Sequence, residues 1–302
     1  MKFDYVKCHG SGNEFVMIDA VANNLQGIDL AELSRYACNR SGSIGADGTL
    51  LLCEREGVYG MRMFNPDGSE AEMCGNGIRC VARLADELYL GTEGREFDMW
   101  SGANTYHISY EEDIFEGIPT YAVELAARVD GEVERTIPQL DGELRWTGIN
   151  VGNPHIIAEV EYIDYTKLEM LGKRVTEIKE VFPQGVNVSL VRRLGANRIF
   201  VATFERGAGI TASCGTAMTS SATAMALRGR CDYDTIIAVE NRGGAVRCRA
   251  QRNPLQTQLI GNASYISRGE IEFREGVFSH NESGRYNKEI ELYSDFLKHY
   301  KA

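Results

Sequence analysis

The stretch Met73-Cys74-Gly75-Asn76-Gly77 has a counterpart in Ser213-Cys214-Gly215-Thr216, and this pair decides the fold. In each stretch a Cys-Gly step stands directly before a segment of helical character. The two cysteines are 140 positions apart (214 − 74 = 140), and three other pairs of short motifs share this offset. Four matches in one register and one order indicate that the chain contains two homologous halves. The other matching pairs are Gly12-Asn13 with Gly152-Asn153, Gly45-Ala46-Asp47 with Gly185-Val186-Asn187, and Phe64 with Phe204.

Acidic, irregular stretches separate the halves, around Glu111–Gly117 and Asp130–Gly142. A chain of 302 residues suits two domains of about 150 residues each. We therefore predict a first domain over residues 1–120 and a second over residues 121–277, each with one of the two cysteines. Residues 278–302 are predicted to form a helical extension.

The spacing of apolar residues predicts an α+β fold in each half. Helices are predicted where apolar residues recur at helical spacing, and strands where short apolar or alternating runs are bounded by polar residues. Residues 78, 81, 82, 85 and 88 are expected to form one buried helix face. The predicted helices are 30–38 (with Asp29 as N-cap), 76–90, 165–171, 216–227 and 287–300. The predicted strands are 16–19, 49–53, 60–64, 148–151, 156–160, 186–191, 199–204, 236–240, 245–250 and 257–261.

The composition is that of an ordinary globular protein, with 43% hydrophobic and 25% charged residues. A formal net charge of −11 argues against non-specific binding to nucleic acids or anionic membranes. Neither a signal peptide nor a segment of transmembrane length is visible, so we expect a cytoplasmic protein. The eight cysteines are then thiols, and without a Cys-x-x-Cys pair they predict no zinc or other metal site.

The two Cys-Gly steps point to acid–base chemistry at a carbon atom. A cysteine at a helix N-terminus has its thiolate favoured by the helix dipole, so the pKa is expected to fall below its ordinary value. The free N–H groups of the same turn can hold a carboxylate. If both turns act on one substrate, one thiolate removes an α-proton while the other thiol protonates the opposite face. A buried structural thiol is the better interpretation for one such turn alone, and a Cys74–Cys214 redox pair is the chemical alternative.

Longer motifs around these turns resemble the diaminopimelate epimerase family. Residues 64–80, Phe-Asn-Pro-Asp-Gly-Ser-Glu-Ala-Glu-Met-Cys-Gly-Asn-Gly-Ile-Arg-Cys, are similar to its first signature. Glu205-Arg206-Gly207-Ala208-Gly209 followed by Cys214-Gly215-Thr216 is similar to its second. Shorter blocks follow the family order, and the resemblance covers about residues 1–275. The shorter blocks are residues 12–15, 45–48, 152–155 and 182–187.

The resemblance implies two pseudo-symmetric domains, each a β-barrel-like sheet around a central helix. It implies interconversion of LL- and meso-2,6-diaminopimelate without pyridoxal phosphate or another cofactor, with Cys74 and Cys214 as bases. It also implies binding roles for residues of both halves. The reacting carboxylate would be held by backbone N–H groups of Gly75, Asn76, Gly215 and Thr216, the reacting amino group by Asn13 and Glu205, and the distal end by Asn65, Asn153, Asn187 and Arg206.

The chain departs from the family pattern close to Cys214 and near its end. Ile210 stands where the family usually has Glu, Ala217-Met218 where it has Gly-Ala, and Gly261-Asn262-Ala263 where it has Gly-Pro-Ala. Two alternatives therefore stay open. One is a pyridoxal-free racemase of another amino acid, such as histidine; the other is an amino-acid-binding or thiol-redox protein without racemase activity. The expected partner is a small amino-acid substrate, with a homodimer possible.

Overall fold

A computed structural model describes residues 1–91 and 96–299 of the chain. The fold contains two compact units, residues 1–123 with 261–299 and residues 124–260. The strands and helices are numbered along the chain.

The first elements along the chain are β1 (Lys2–Gly10), β2 (Asn13–Asp19), α1 (Leu30–Ala37), β3 (Gly48–Arg55), β4 (Val58–Phe64), β5 (Glu70–Ala71), α2 (Gly75–Ala85), β6 (Glu96–Ser101), β7 (Asn104–Glu111) and β8 (Thr120–Ala126). The next elements are β9 (Arg128–Val129), β10 (Arg135–Ile137), β11 (Asp141–Asn150), β12 (Pro154–Glu159), α3 (Tyr165–Glu177), β13 (Asn187–Gly195), β14 (Arg198–Glu205), β15 (Gly209–Thr211), α4 (Gly215–Leu227), β16 (Ile237–Asn241), β17 (Gly244–Gln251) and β18 (Gln256–Asn262). The last are β19 (Ser264–Arg274), β20 (Val277–Arg285) and α5 (Asn287–Lys298).

The two units repeat one order of strand pairing, which confirms the predicted duplication. In the first unit β1–β2, β3–β4 and β6–β7 are antiparallel, whereas β2–β3 and β4–β6 are parallel. In the second unit β11–β12, β13–β14 and β16–β17 are antiparallel, whereas β12–β13 and β14–β16 are parallel. Each parallel pair is joined through a helix, as the geometry of a parallel crossover requires.

A central helix packs on one face of each sheet and a shorter or more polar helix on the other. In the first unit α2 packs against β1 to β4, and all its residues are buried, while α1 packs against β3 and β4. Likewise, α4 packs against β11 to β14, β16 and β17, while α3 packs against β13 and β14. Strands covered on both faces carry continuous apolar runs, which explains the sequence Leu50-Leu51-Leu52. Leu51 lies in the core with Leu33 of α1, while Leu50 lies against Gly77 of α2.

The end of α2 differs from the predicted helix over residues 76–90. The α-helix ends at Ala85, and Asp86–Leu90 form a π-helical turn. The wider turn changes the angle between successive side chains, so Leu88 is 54% exposed instead of continuing the buried face. Asp86 is buried, and its carboxylate accepts a hydrogen bond from the Tyr121 hydroxyl at 2.7 Å.

The chain after Gly261 differs from the predicted domain boundaries. β19 pairs antiparallel with β1, with Phe3 opposite Ile271, so residues 261–299 belong to the first unit. Residues 278–285, predicted as part of a helical extension, lie in β20, which pairs with β19. The helix predicted over residues 287–300 is present as α5, which ends at Lys298, and residue 300 lies outside the described residues. None of the helices within residues 1–91 and 96–299 is both long and apolar enough to span a membrane.

Candidate active site

Cys74 occupies the N-cap of the buried helix α2. Its backbone is extended, and its sulfur accepts the N–H of Gly77 at 3.4 Å. Residue 77 has little room for a side chain, because a Cβ there would lie 2.9 Å from Leu50 Cδ2 and 3.3 Å from Met61 Sδ. The glycine therefore lets the first turn of α2 sit directly on β3 and β4.

Burial raises the pKa of the Cys74 thiol, although the N–H groups of Gly77 and Asn76 and the Arg79 guanidinium lower it. The expectation that the helix N-terminus alone would depress this pKa is wrong for the structure as it stands. Burial destabilises the thiolate by more free energy here than the helix N-terminus contributes to stabilising it. In this structure Cys74 is a neutral thiol at neutral pH.

Asn13 and Asn76 contact each other beside Cys74. The Asn76 amide donates to Asn13 Oδ1 at 3.4 Å, and the Asn13 amide donates to Asp47 Oδ2 at 3.0 Å. Burial alone would raise the pKa of Asp47, but hydrogen bonds from Arg40, the Glu14 N–H and Asn13 hold it below its usual value. An ionised Asp47 therefore fixes the orientation of the Asn13 amide, which sequence reasoning did not identify.

Asn65 lies in the turn between β4 and β5. Its backbone N–H donates to Ser69 O at 2.8 Å, and its side-chain amide donates to Ser69 Oγ at 3.0 Å. These bonds give it the turn-stabilising role that is common for Asn. The predicted binding role of Asn65 is not visible in its contacts.

Cys214 occupies the N-cap of α4, as Cys74 does for α2. Its sulfur lies 3.4 Å from Thr216 Oγ1. Burial raises the pKa of the Cys214 thiol, and the Glu205 carboxylate raises it further. Glu205 in turn accepts a hydrogen bond from the Thr211 hydroxyl. As at Cys74, the predicted lowering of the pKa is wrong, because burial and a nearby negative charge outweigh the helix end.

A buried histidine links the polar residues of the second unit. His155 Nε2 lies 3.0 Å from Asn153 Oδ1 and 3.5 Å from Asn187 Nδ2. Burial lowers the pKa of His155 to about 3, so the ring is neutral at neutral pH. Asn187 Oδ1 accepts the backbone N–H of Arg206 at 2.9 Å, and the Arg206 guanidinium donates to Gln184 O. His155 belongs to the family-like block of residues 152–155, but the sequence pattern indicated no role for it.

The departures beside Cys214 are packed into the protein interior. Met218 is 1% exposed, and its sulfur accepts the Asn241 amide at 3.0 Å and the Ser213 hydroxyl at 3.8 Å. Ile210 is half-buried and packs against the apolar core beneath α3. Both side chains therefore contribute to packing within the second unit.

Within the part of the chain that the structure describes, no group of three or more His, Cys, Asp or Glu side chains is arranged to hold a metal ion. In the first unit the contacts tie Asn13 to Asn76 in the first turn of α2. In the second unit Thr216 and Glu205 lie at Cys214, whereas the predicted residues Asn153, Asn187 and Arg206 are joined to one another through His155 and Asn187.

The family model described as diaminopimelate epimerase matches residues 5–113 and 147–266. The chain is 36% identical to a diaminopimelate epimerase of Clostridium acetobutylicum, over 99% of this chain and 95% of that protein. It is 33% identical to the diaminopimelate epimerase of Listeria innocua, over 97% of this chain and 98% of that protein. The matches therefore include both cysteine turns and continue into the C-terminal region.

Two solved structures with this fold have sequences that are only distantly similar to this chain. A Bacillus anthracis phenazine biosynthesis protein of the PhzF family superposes with a TM-score of 0.69 at 16% identity, covering 90% of this chain and all of that chain (100%). A hydroxyproline epimerase from Agrobacterium vitis superposes with a TM-score of 0.62 at 14% identity, covering 93% of this chain and 92% of the other. At these identities the likeness concerns the fold alone.

Proposed function

This chain belongs to the diaminopimelate epimerase family, and we propose that it epimerises LL-2,6-diaminopimelate to the meso form with Cys74 and Cys214 as the acid–base pair. The observation that carries the proposal is that the same arrangement occurs in both units. In each unit a cysteine occupies the N-cap of a buried helix, and the N–H groups of the first turn have no acceptor within the helix itself. A single cysteine at a helix N-terminus could be structural, but a two-base reaction at one carbon needs two such cysteines.

The proposed reaction exchanges one proton for another. One cysteine, as thiolate, removes the α-proton, and the electron pair spreads into the adjacent carboxylate. The other cysteine, as thiol, delivers its proton to the opposite face, so the two sulfurs exchange protonation states. N–H groups at residues 75, 76, 215 and 216 would stabilise the charge on the carboxylate in the transition state.

The raised thiol pKa values fit a site that becomes active on binding substrate. The substrate ammonium group brings a positive charge, which favours a thiolate nearby. Glu205, which raises the pKa of Cys214 in this structure, would be paired with that ammonium group. The acid–base pair then titrates as one coupled unit.

The side chains for a second amino-acid end favour diaminopimelate over a monocarboxylic substrate. The Arg206 guanidinium suits a distal carboxylate, and the amides of Asn153 and Asn187 are held in place around His155. Of the two departures beside Cys214, Met218 is buried, and the half-buried Ile210 packs against the core beneath α3. We further propose that the enzyme is cytoplasmic, needs no cofactor, forms a homodimer and supplies lysine and peptidoglycan precursors.

The test is proton exchange at the α-carbon in D₂O. Wild-type protein with LL-diaminopimelate is expected to form the meso isomer with deuterium at one stereocentre only. Cys74→Ala and Cys214→Ala should each lower kcat by at least about 100-fold, since each removes one acid–base group. Cys53→Ala, at a half-buried cysteine of β3, is the matched control and should retain wild-type turnover.

Each alternative has its own outcome. Racemisation of histidine without turnover of diaminopimelate would replace the proposed substrate while keeping the mechanism. Near-normal turnover in either cysteine variant would refute the two-thiol mechanism. An inactive wild-type protein with reversible Cys74–Cys214 disulfide formation would favour a redox role.

A further inference from the structure

Helix α5 packs on the first unit, where it contacts β19. The Tyr293 ring packs on His9 of β1, with ring centroids 4.2 Å apart. Glu289 anchors the helix, because its carboxylate accepts hydrogen bonds from both terminal nitrogens of Arg83 at 2.8 and 2.9 Å. Arg83 belongs to α2, so one ion pair joins α5 to the helix that begins at Cys74. The arginine side chain is 8% exposed and the glutamate 15% exposed, so the pair is largely shielded from solvent.

His9 holds the turn between β1 and β2. Its Nδ1 accepts the Gly12 N–H at 3.2 Å and lies 3.4 Å from the Asn262 amide nitrogen. Burial, with a contribution from Arg79, lowers the pKa of His9 to about 4, so Nδ1 keeps its lone pair at neutral pH. Asn262 adds a second bond to the turn, because its Oδ1 accepts the Ser11 N–H at 3.1 Å.

The turn needs such support because both of its central residues have positive φ. Ser11 has φ 53° and Gly12 has φ 79°, as in a two-residue hairpin of type I′. Serine is less suited to this conformation than Asn, Asp or Gly. The residue that follows is Asn13, whose side chain contacts Asn76 next to Cys74. The conformation of the turn therefore sets where the Asn13 backbone lies, and Asp47 orients the amide from there.

We propose that Tyr293 is a positioning residue, which keeps His9 against the β1–β2 turn so that Asn13 is presented to the amino group of the substrate. Helix α5 is then part of the site's support and not merely an appended helix. The inference rests on the proposed function for the role of Asn13, whereas the link from Tyr293 to the turn rests on the contacts alone.

The test compares tyrosine variants of the full-length protein. Tyr293→Leu is expected to raise KM for LL-diaminopimelate about 5- to 10-fold and to change kcat less than about 2-fold, because the Asn13 contact exists in both ground and transition states. Tyr293→Phe keeps the ring and should behave as wild type. Tyr36→Leu is the matched control: that ring stacks on Phe278 of β20 and should leave KM unchanged.

A second measurement does not depend on turnover. The backbone amide NMR signals of Ser11, Gly12 and Asn13 should shift in Tyr293→Leu and stay in place in Tyr36→Leu and Tyr293→Phe. Should Tyr293→Leu fail to fold, a His9 pair replaces it. His9→Leu loses the acceptor for Gly12 and should raise KM, whereas His9→Asn keeps an acceptor and should restore it in part.

The outcomes separate this inference from the proposed function. Unshifted turn amides, or an unchanged KM in a protein that does turn over diaminopimelate, would overturn the positioning role. A wild-type protein inactive on diaminopimelate would refute the proposed function, and the turn amides would then decide the positioning role alone. Equal KM increases in Tyr293→Leu and Tyr36→Leu would also overturn it.

Discussion

At Cys74 and at Cys214, two physical effects shift the pKa of the thiol in opposite directions. The helix N-terminus favours the thiolate, while burial favours the neutral thiol. Burial is the larger effect in this structure, and at Cys214 the Glu205 carboxylate acts with it. The sequence could identify the helix end, since Cys-Gly precedes a helical pattern. It could not supply the burial, which depends on every element packed around the sulfur.

Two buried histidines make the stability of the fold depend on pH. The pKa of His9 is about 4 and that of His155 about 3 in the folded protein, in both cases mainly through burial. In the unfolded chain a histidine takes up its proton near pH 6.5. Between that pH and the folded pKa the unfolded state binds more protons, so stability is lost as the pH falls.

We expect His9 alone to account for about 3 kcal/mol of that loss between pH 7 and pH 4. The measurement is urea unfolding of wild type and His9→Asn at several pH values. The variant should be less stable at pH 7, and the difference should shrink as the pH approaches 4. A difference that stays constant with pH would contradict a neutral, buried His9.

At the scale of elements, α4 shows how a helix of small polar residues can fill the inside of a sheet. Ser220 and Ser221 are fully buried, and their hydroxyls have no hydrogen-bond partner among the described residues. Thr219 is also buried, but its hydroxyl donates to Gly215 O at 2.5 Å. Small side chains let the sheet close around α4, and the cost is an unsatisfied hydroxyl at two positions.

This difference predicts opposite effects of removing a hydroxyl. Ser221→Ala should raise the free energy of unfolding by about 1 kcal/mol, since it removes a buried polar group without a partner. Thr219→Val should lower it by about 1 kcal/mol, since it removes a buried hydrogen bond to Gly215 O. Chemical denaturation of both variants measures the effect. Destabilisation by Ser221→Ala would show that its hydroxyl is satisfied in solution.

For the whole molecule, the last strands of the chain complete its first unit. Ile271 of β19 is fully buried, and it shares a core with Phe3, Val16 and Leu33. The pairing of β1 with β19 joins residues more than 260 positions apart (Phe3 and Ile271). The stability of the first unit thus depends on the end of the chain.

Hydrogen exchange can test this division of the chain. Ile271→Ala should cost about 2–5 kcal/mol, as expected for a buried Ile, and should speed amide exchange in β1 to β4. Leu190→Ala, at a buried core position of the second unit, is the matched control and should speed exchange in β12 to β14. Faster exchange in β12 to β14 after Ile271→Ala would contradict the assignment of β19 to the first unit.

The sequence by itself determined the duplicated α+β fold, the start of most helices and the two cysteine turns. These features are local: a helix repeats every 3.6 residues, a cap is one residue, and a duplication keeps its register along the chain. Asp29 caps α1 as predicted, and the strands around Leu50 and Val188 lie where the apolar runs indicated.

Tertiary structure alone decided the features that depend on distant contacts. The return of β19 to β1 and the contact of His155 with Asn187 join residues far apart in sequence. The raised pKa of Cys214 depends mainly on the burial of its sulfur by the elements packed around it. The sequence of a strand does not show which distant strand it pairs with. The burial of a group depends on every element that packs around it. Short segments of sequence contain neither the strand partner nor the burial, so both follow only from the folded structure.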